Sequence, residues 1–169
     1  FTDIQPGSGV TRVASRGGAW GDFNNDGYQD LWTGDVVYRN AGGTGSFVLA
    51  ADLPEDTAGT KAGTSWADYN NDGWLDLFAG SQWLYENLGG TGQFRLHSAS
   101  FGLDGDFPSQ AVSWADYDLD GWVDVHVVGD QSAEGALYHN LGGAGFENVT
   151  RAAGVADPRE GYGGSWSDP

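Results

Sequence analysis

Three stretches of the chain carry side-chain oxygens at a spacing suited to holding a cation. Each reads Asp-x-[Asn/Asp]-x-Asp-Gly-x-x-Asp, beginning at Asp22, Asp68 and Asp116. Oxygens at loop positions 1, 3 and 5 alternate with side chains that point away, so a tight loop can turn all three onto one centre. Position 6 is Gly27, Gly73 and Gly121, where a sharp bend is predicted to need positive φ. Position 7 offers a backbone carbonyl and position 9 returns a carboxylate. The predicted ligand sets are Asp22, Asn24, Asp26, Tyr28 and Asp30; Asp68, Asn70, Asp72, Trp74 and Asp76; and Asp116, Asp118, Asp120, Trp122 and Asp124. All these donors are hard oxygens. They select Ca²⁺ over zinc or copper, and a flexible ring of many oxygens suits Ca²⁺ better than Mg²⁺.

Charge supports the same expectation. The third loop gathers four carboxylates and the other two gather three each, so ten of the chain's 24 acids lie in these loops. Two like charges about 4 Å apart repel by roughly 4 kcal/mol at an effective dielectric near 20. Three Ca²⁺, one per loop, would bring the formal charge from −17 to −11 (−17 + 6). An Asp-Gly hairpin turn with solvated acids is the bland reading of any one loop. Recurrence at the same place of a repeat argues against it. An EF-hand is excluded: position 12 would have to be Glu and is Thr33, Ala79 and Val127, followed by β-like residues.

The elements that must position these loops come from the repeat. Trp20, Trp66 and Trp114 open the three copies, and a fourth begins at Trp166-Ser167-Asp168, giving spacings of 46, 48 and 52 residues. A second signature follows each loop: Tyr38-Arg39-Asn40-Ala41-Gly42-Gly43, Tyr85-Glu86-Asn87-Leu88-Gly89-Gly90 and Tyr138-His139-Asn140-Leu141-Gly142-Gly143, then Phe47, Phe94 and Phe146. Four strands per unit are predicted, exemplified by 18–22, 31–34, 36–40 and 47–50, separated by Asp-Gly and Gly-Gly turns. No segment keeps a 3.6-residue period. Units of about 40–50 residues with four strands are propeller blades; a β-solenoid, usually of shorter repeat, is the weaker reading. The predicted class is all-β, with blades of four antiparallel strands, three complete blades and partial flanking ones. The boundaries are 1–17 (last strand of a preceding blade and linker), 18–50, 51–97, 98–150, and 151–169 as the start of a fourth blade.

Composition narrows the function. Seven Lys and Arg against 24 Asp and Glu disfavour nucleic acid and anionic membranes as partners. Abundant aromatics (8 Trp, 7 Tyr, 8 Phe) argue against acidic disorder. No apolar run nears 18 residues, so no membrane insertion is expected. Cysteine is absent, and metal is a usual staple for an extracellular domain without disulfides. His97, His126 and His139 fall at unrelated repeat positions and read as ordinary strand residues. No nucleophile–base pairing has a recognisable spacing, so no enzyme activity is expected. Asn148-Val149-Thr150 is an N-glycosylation acceptor triplet.

With both signatures in view, the sequence resembles FG-GAP/VCBS-type repeats of integrin α-subunit propellers and bacterial secreted proteins. It is most similar to the ASPIC/UnbV and cartilage-acidic-protein-like branch. The resemblance implies a propeller with one Ca²⁺ per blade, bound at positions 1, 3, 5, 7 and 9. It also implies an extracellular or cell-surface scaffold for adhesion or protein interaction. A carbohydrate-binding propeller is the second reading and a polysaccharide lyase the third. Such propellers usually close with about seven blades. Phe1–Ile4 and Trp166–Asp168 therefore read as pieces of flanking blades. The chain is expected to be a segment of a longer one, or a unit that self-associates through exposed blade edges. The ligand, protein or glycan, carries no motif.

Overall fold

The computed structural model describes residues 7–13, 18–53, 63–80, 82–97, 99–105, 109–129 and 134–156. Among them, twelve strands form three four-stranded antiparallel sheets, each an up-and-down meander. The first sheet holds β1 (Ala19–Gly21), β2 (Asp30–Trp32), β3 (Val36–Asn40) and β4 (Phe47–Asp52). The second holds β5 (Thr64–Ala67), β6 (Asp76–Ala79), β7 (Trp83–Asn87) and β8 (Phe94–His97). The third holds β9 (Ser109–Ala115), β10 (Asp124–Gly129), β11 (Ala136–Asn140) and β12 (Phe146–Asn148). A 3₁₀ turn, Ala99–Phe101, leads from the second sheet toward the third. The expected four-strand units and their all-β class are what the chain adopts. The expected edge strand at Phe1–Ile4 and the fourth repeat start at Trp166–Asp168 lie outside the described residues.

Repeat in sequence becomes repeat in register. Trp20 pairs with Leu31, Trp66 with Leu77 and Trp114 with Val125. Tyr38, Tyr85 and Tyr138 sit opposite those same partners on the next strand, and Asn40, Asn87 and Asn140 face Phe47, Phe94 and Phe146. A one-residue slip would send every side chain to the opposite face, so the shared register places all three acidic loops at the same end of their sheets. The second strand of each sheet is buried almost throughout. That is why Leu31-Trp32 and Leu77-Phe78-Ala79 read as unbroken apolar runs rather than alternating ones.

The sheets bury their faces against one another, with β5 lying against both β1 and β9. Between the first two sheets, Phe23, Trp32 and Val37 meet Leu77, Ala79 and Tyr85. Trp66 stacks on Phe23, with centroids 6.5 Å apart and planes 18° apart, and its indole N–H donates to the Ala19 carbonyl at 3.3 Å. Between the second and third, Tyr69, Phe78 and Leu84 meet Val125, Val127, Tyr138 and Phe146. Trp114 sits edge-on to Phe78 at 5.8 Å. Each fully buried aromatic contributes about 1.5–3 kcal/mol through area removed from water. Trp20, in the register position of Trp66 and Trp114, is 59% exposed among the described residues. The repeat tryptophans are thus packing residues wherever a neighbouring sheet is described.

Candidate metal centre

Each acidic loop joins the first two strands of its sheet, and its own side chains wind it up. In the first, both carboxylate oxygens of Asp22 accept backbone N–H groups, from Asp26 at 3.1 Å and Gly27 at 2.8 Å. Asn24 Oδ1 also accepts from Asp26 N at 3.1 Å, and Asp26 Oδ1 accepts from Tyr28 N at 3.0 Å. The second loop repeats the set: Asp68 takes Asp72 N and Gly73 N, Asn70 takes Asp72 N, and Asp72 takes Trp74 N. In the third, Asp116 takes Asp120 N and Gly121 N, and Asp120 takes Trp122 N. The expected bend is present, with φ of +88°, +90° and +93° at Gly27, Gly73 and Gly121. A side chain would be strained there.

Position 9 has a different role from positions 1, 3 and 5. Asp30, Asp76 and Asp124 are fully buried at the start of the second strand. One oxygen of each accepts the N–H of loop position 2 (Phe23, Tyr69, Tyr117) at 3.2–3.3 Å. The other accepts the N–H of Asn40, Asn87 or Asn140 at 2.7–2.8 Å. The carboxylate therefore ties the loop to the third strand. Burial pushes Asp30 up to about 6 and Asp76 up to about 7, against the opposing backbone hydrogen bonds, and raises Asp124 as well. An anion so placed is costly without a compensating positive charge.

The second signature proves to be a connector. Asn87 Oδ1 accepts the Gly90 N–H at 2.9 Å, closing the Gly-Gly turn. Its amide donates to Leu75 O in its own loop at 3.0 Å and to Phe23 O in the loop before it at 2.7 Å. Asn140 repeats this with Gly143 N, Val123 O and Tyr69 O, all at 2.8–3.0 Å. Gly90 has φ +69° and lies between the Trp74 ring and the Asn24 Cα, so a Cβ would collide with the ring and press tightly on the Asn24 backbone. Position 4 adds a second tie: Asn25 and Asn71 hold φ near +55° and donate to Gly73 O at 2.8 Å and Gly121 O at 3.1 Å. Neighbouring loops are therefore joined twice.

Of the predicted ligands, Asp116, Asp118 and Asp120 bring one carboxylate oxygen each within 4.8 Å of one another. Asp124 falls into a second cluster, with Asp118 and His139. The oxygens of positions 1, 3 and 5 keep lone pairs beyond those their N–H donors use, so the donor set fits a hard cation. Sequence reasoning did not anticipate the ties made by Asn25, Asn71, Asn87 and Asn140, although their recurrence was visible. It also placed His139 among ordinary strand residues. His139 is on β11, yet its ring nitrogen lies 3.1 Å from Asp124 and 3.4 Å from Asp118. Only its adjacency to Asn140 could have signalled this.

Residues 22–79 match the family model of the FG-GAP-like repeat, a span running from the first acidic loop through the second loop to the end of β6. No curated protein matches the chain.

Proposed function

We propose that this chain is a calcium-stabilised extracellular propeller scaffold for adhesion or protein interaction. In this reading it is not an enzyme, and each of its three loops holds one Ca²⁺ through positions 1, 3, 5, 7 and 9. The observation that carries the proposal is the recurrence of one loop geometry at the same end of three adjoining sheets. Each copy has a buried position-9 carboxylate raised by desolvation, and the third has three further carboxylates within 4.8 Å. The FG-GAP-like repeat over the first two loops supports the same reading. A cation would offset the repulsion and stiffen a rim otherwise held by exposed hydrogen bonds. The bridged rim is then a rigid platform for a ligand carried by variable loops.

Calorimetric titration with Ca²⁺ tests the metal, and thermal unfolding with and without EDTA tests its structural role. Asp72→Ala is expected to lower Tm clearly more in millimolar Ca²⁺ than in EDTA, where only its exposed hydrogen bonds within the loop are lost. Equal loss under both conditions would remove the metal role of that loop. Glycan-array binding that disappears in EDTA would move the ligand class from protein to carbohydrate.

A further inference from the structure

The third loop departs from the other two in one coordinated respect. Its position 3 is Asp118 where the others have Asn24 and Asn70, and the residue before its connector Asn is His139 where the others have Arg39 and Glu86. The structure brings these two departures together. His139 Nδ1 lies 3.4 Å from Asp118 Oδ2 and 3.1 Å from Asp124 Oδ1, with all three ligand atoms within 4.8 Å of each other.

We infer that Asp118, Asp124 and His139 form a mixed nitrogen–oxygen site for a borderline divalent cation such as Zn²⁺, which takes Asp118 and Asp124 in place of the Ca²⁺ proposed for the third loop and leaves the all-oxygen first two loops to Ca²⁺. Zn²⁺ holds nitrogen at about 2.0–2.1 Å and carboxylate oxygen at about 2.0–2.2 Å, so adjacent ligands of its tetrahedron stand roughly 3.3–3.5 Å apart. The His139–Asp118 separation falls in that window and the His139–Asp124 separation just below it. Imidazole is a poor ligand for Ca²⁺ and a good one for first-row metals. The supporting contacts suit the task. Asp124 is fully buried and fixed by the Asn140 and Tyr117 N–H groups. The His139 ring is held edge-on to Tyr117 at 6.2 Å. Asp118 is exposed, which leaves an entry path and room for water as the fourth ligand. The first two loops have no nitrogen donor in this place: Arg39 carries a permanent charge and Glu86 is engaged with Arg95 and His97.

The test uses Co²⁺ as a spectroscopic stand-in for Zn²⁺, added to the intact chain in millimolar Ca²⁺. One equivalent is expected to give a visible absorption band that Zn²⁺ abolishes. His139→Arg, which installs the residue of the first repeat, is expected to weaken Co²⁺ binding at least tenfold while Tm in EDTA holds. His126→Gln, on the neighbouring strand, is expected to change nothing. An unaltered Co²⁺ affinity in His139→Arg overturns the assignment, because His139 would then be only a counter-ion to the two carboxylates. So does a Co²⁺ band that millimolar Ca²⁺ erases, which would return this loop to the all-oxygen set. Failure of Ca²⁺ to bind the first two loops would instead defeat the calcium proposal and leave this one standing.

Discussion

The second acidic loop and the third share a backbone and differ in what lies beyond them. Tyr69 in the second loop is buried under the third sheet, whereas Tyr117, its counterpart, is 39% exposed. Asn71 spends its left-handed conformation on a hydrogen bond to Gly121 O. Leu119 takes the same conformation at φ +61° and is 87% exposed. The third loop keeps the position-1 and position-5 winding bonds of the second and lacks the one that Asn70 accepts. Local sequence therefore sets the shape of a loop, while the adjoining sheet sets how much of its polar framework is shut away from water. Burial raises both position-9 carboxylates, Asp76 to about 7.

The comparison can be broken most directly at position 9. Asp76→Ala leaves the Tyr69 and Asn87 N–H groups without their acceptor, at a cost of about 1–3 kcal/mol for each buried orphan. The expected total is roughly 2–6 kcal/mol in urea unfolding with EDTA. Asp124→Ala is expected to cost less by about 1 kcal/mol, because water can reach the Tyr117 N–H beside its half-exposed ring. Equal losses would mean that the adjoining sheet does not govern these carboxylates.

Acidity provides the next test. Asp30 and Asp76 bind protons more tightly folded than unfolded, with folded values about 6 and about 7 and ordinary unfolded values near 4. A raised carboxylate contributes its stability below the unfolded value and loses it as pH rises through the folded one. The metal-free protein is thus expected to lose urea midpoint steadily between about pH 4 and pH 7. The decline should continue to higher pH for the second loop than for the first, which Asp30→Asn and Asp76→Asn would separate. A midpoint that climbs over this range would show that these carboxylates are not desolvated as their burial implies.

The smallest effect is expected at Leu119. A left-handed Leu costs about 1 kcal/mol relative to a residue that tolerates the conformation. Leu119→Asn should therefore raise stability by about 0.5–1 kcal/mol. Asn71→Leu, the reverse change in the second loop, should lower it by more, because it also removes the bond to Gly121. If both changes had the same magnitude, the bond between loops would contribute nothing.

Most of the architecture was legible before any coordinates. The Trp spacing, the Asp-Gly loops and the Tyr-x-Asn-x-Gly-Gly segments each depend on short-range turn chemistry, so they fixed four strands per unit and placed 36–40 as a strand with both boundaries correct. The positive φ of Gly27, Gly73 and Gly121 followed from the same local reasoning. What the pattern could not supply were the partners across more than one strand. The Asn87 amide reaches Phe23, 64 residues away, and Asn140 reaches Tyr69, 71 away. Nothing in a repeat says whether its recurring Asn caps its own turn or the loop of its neighbour.

The sequence by itself determined the oxygen donors, their order and their threefold recurrence, because those depend on residues within nine positions of one another. Only the tertiary structure decided which carboxylates are dry and that His139 belongs to the third loop. Desolvation and ring placement depend on whatever sheet packs alongside, and that contact is made by residues far apart in the chain.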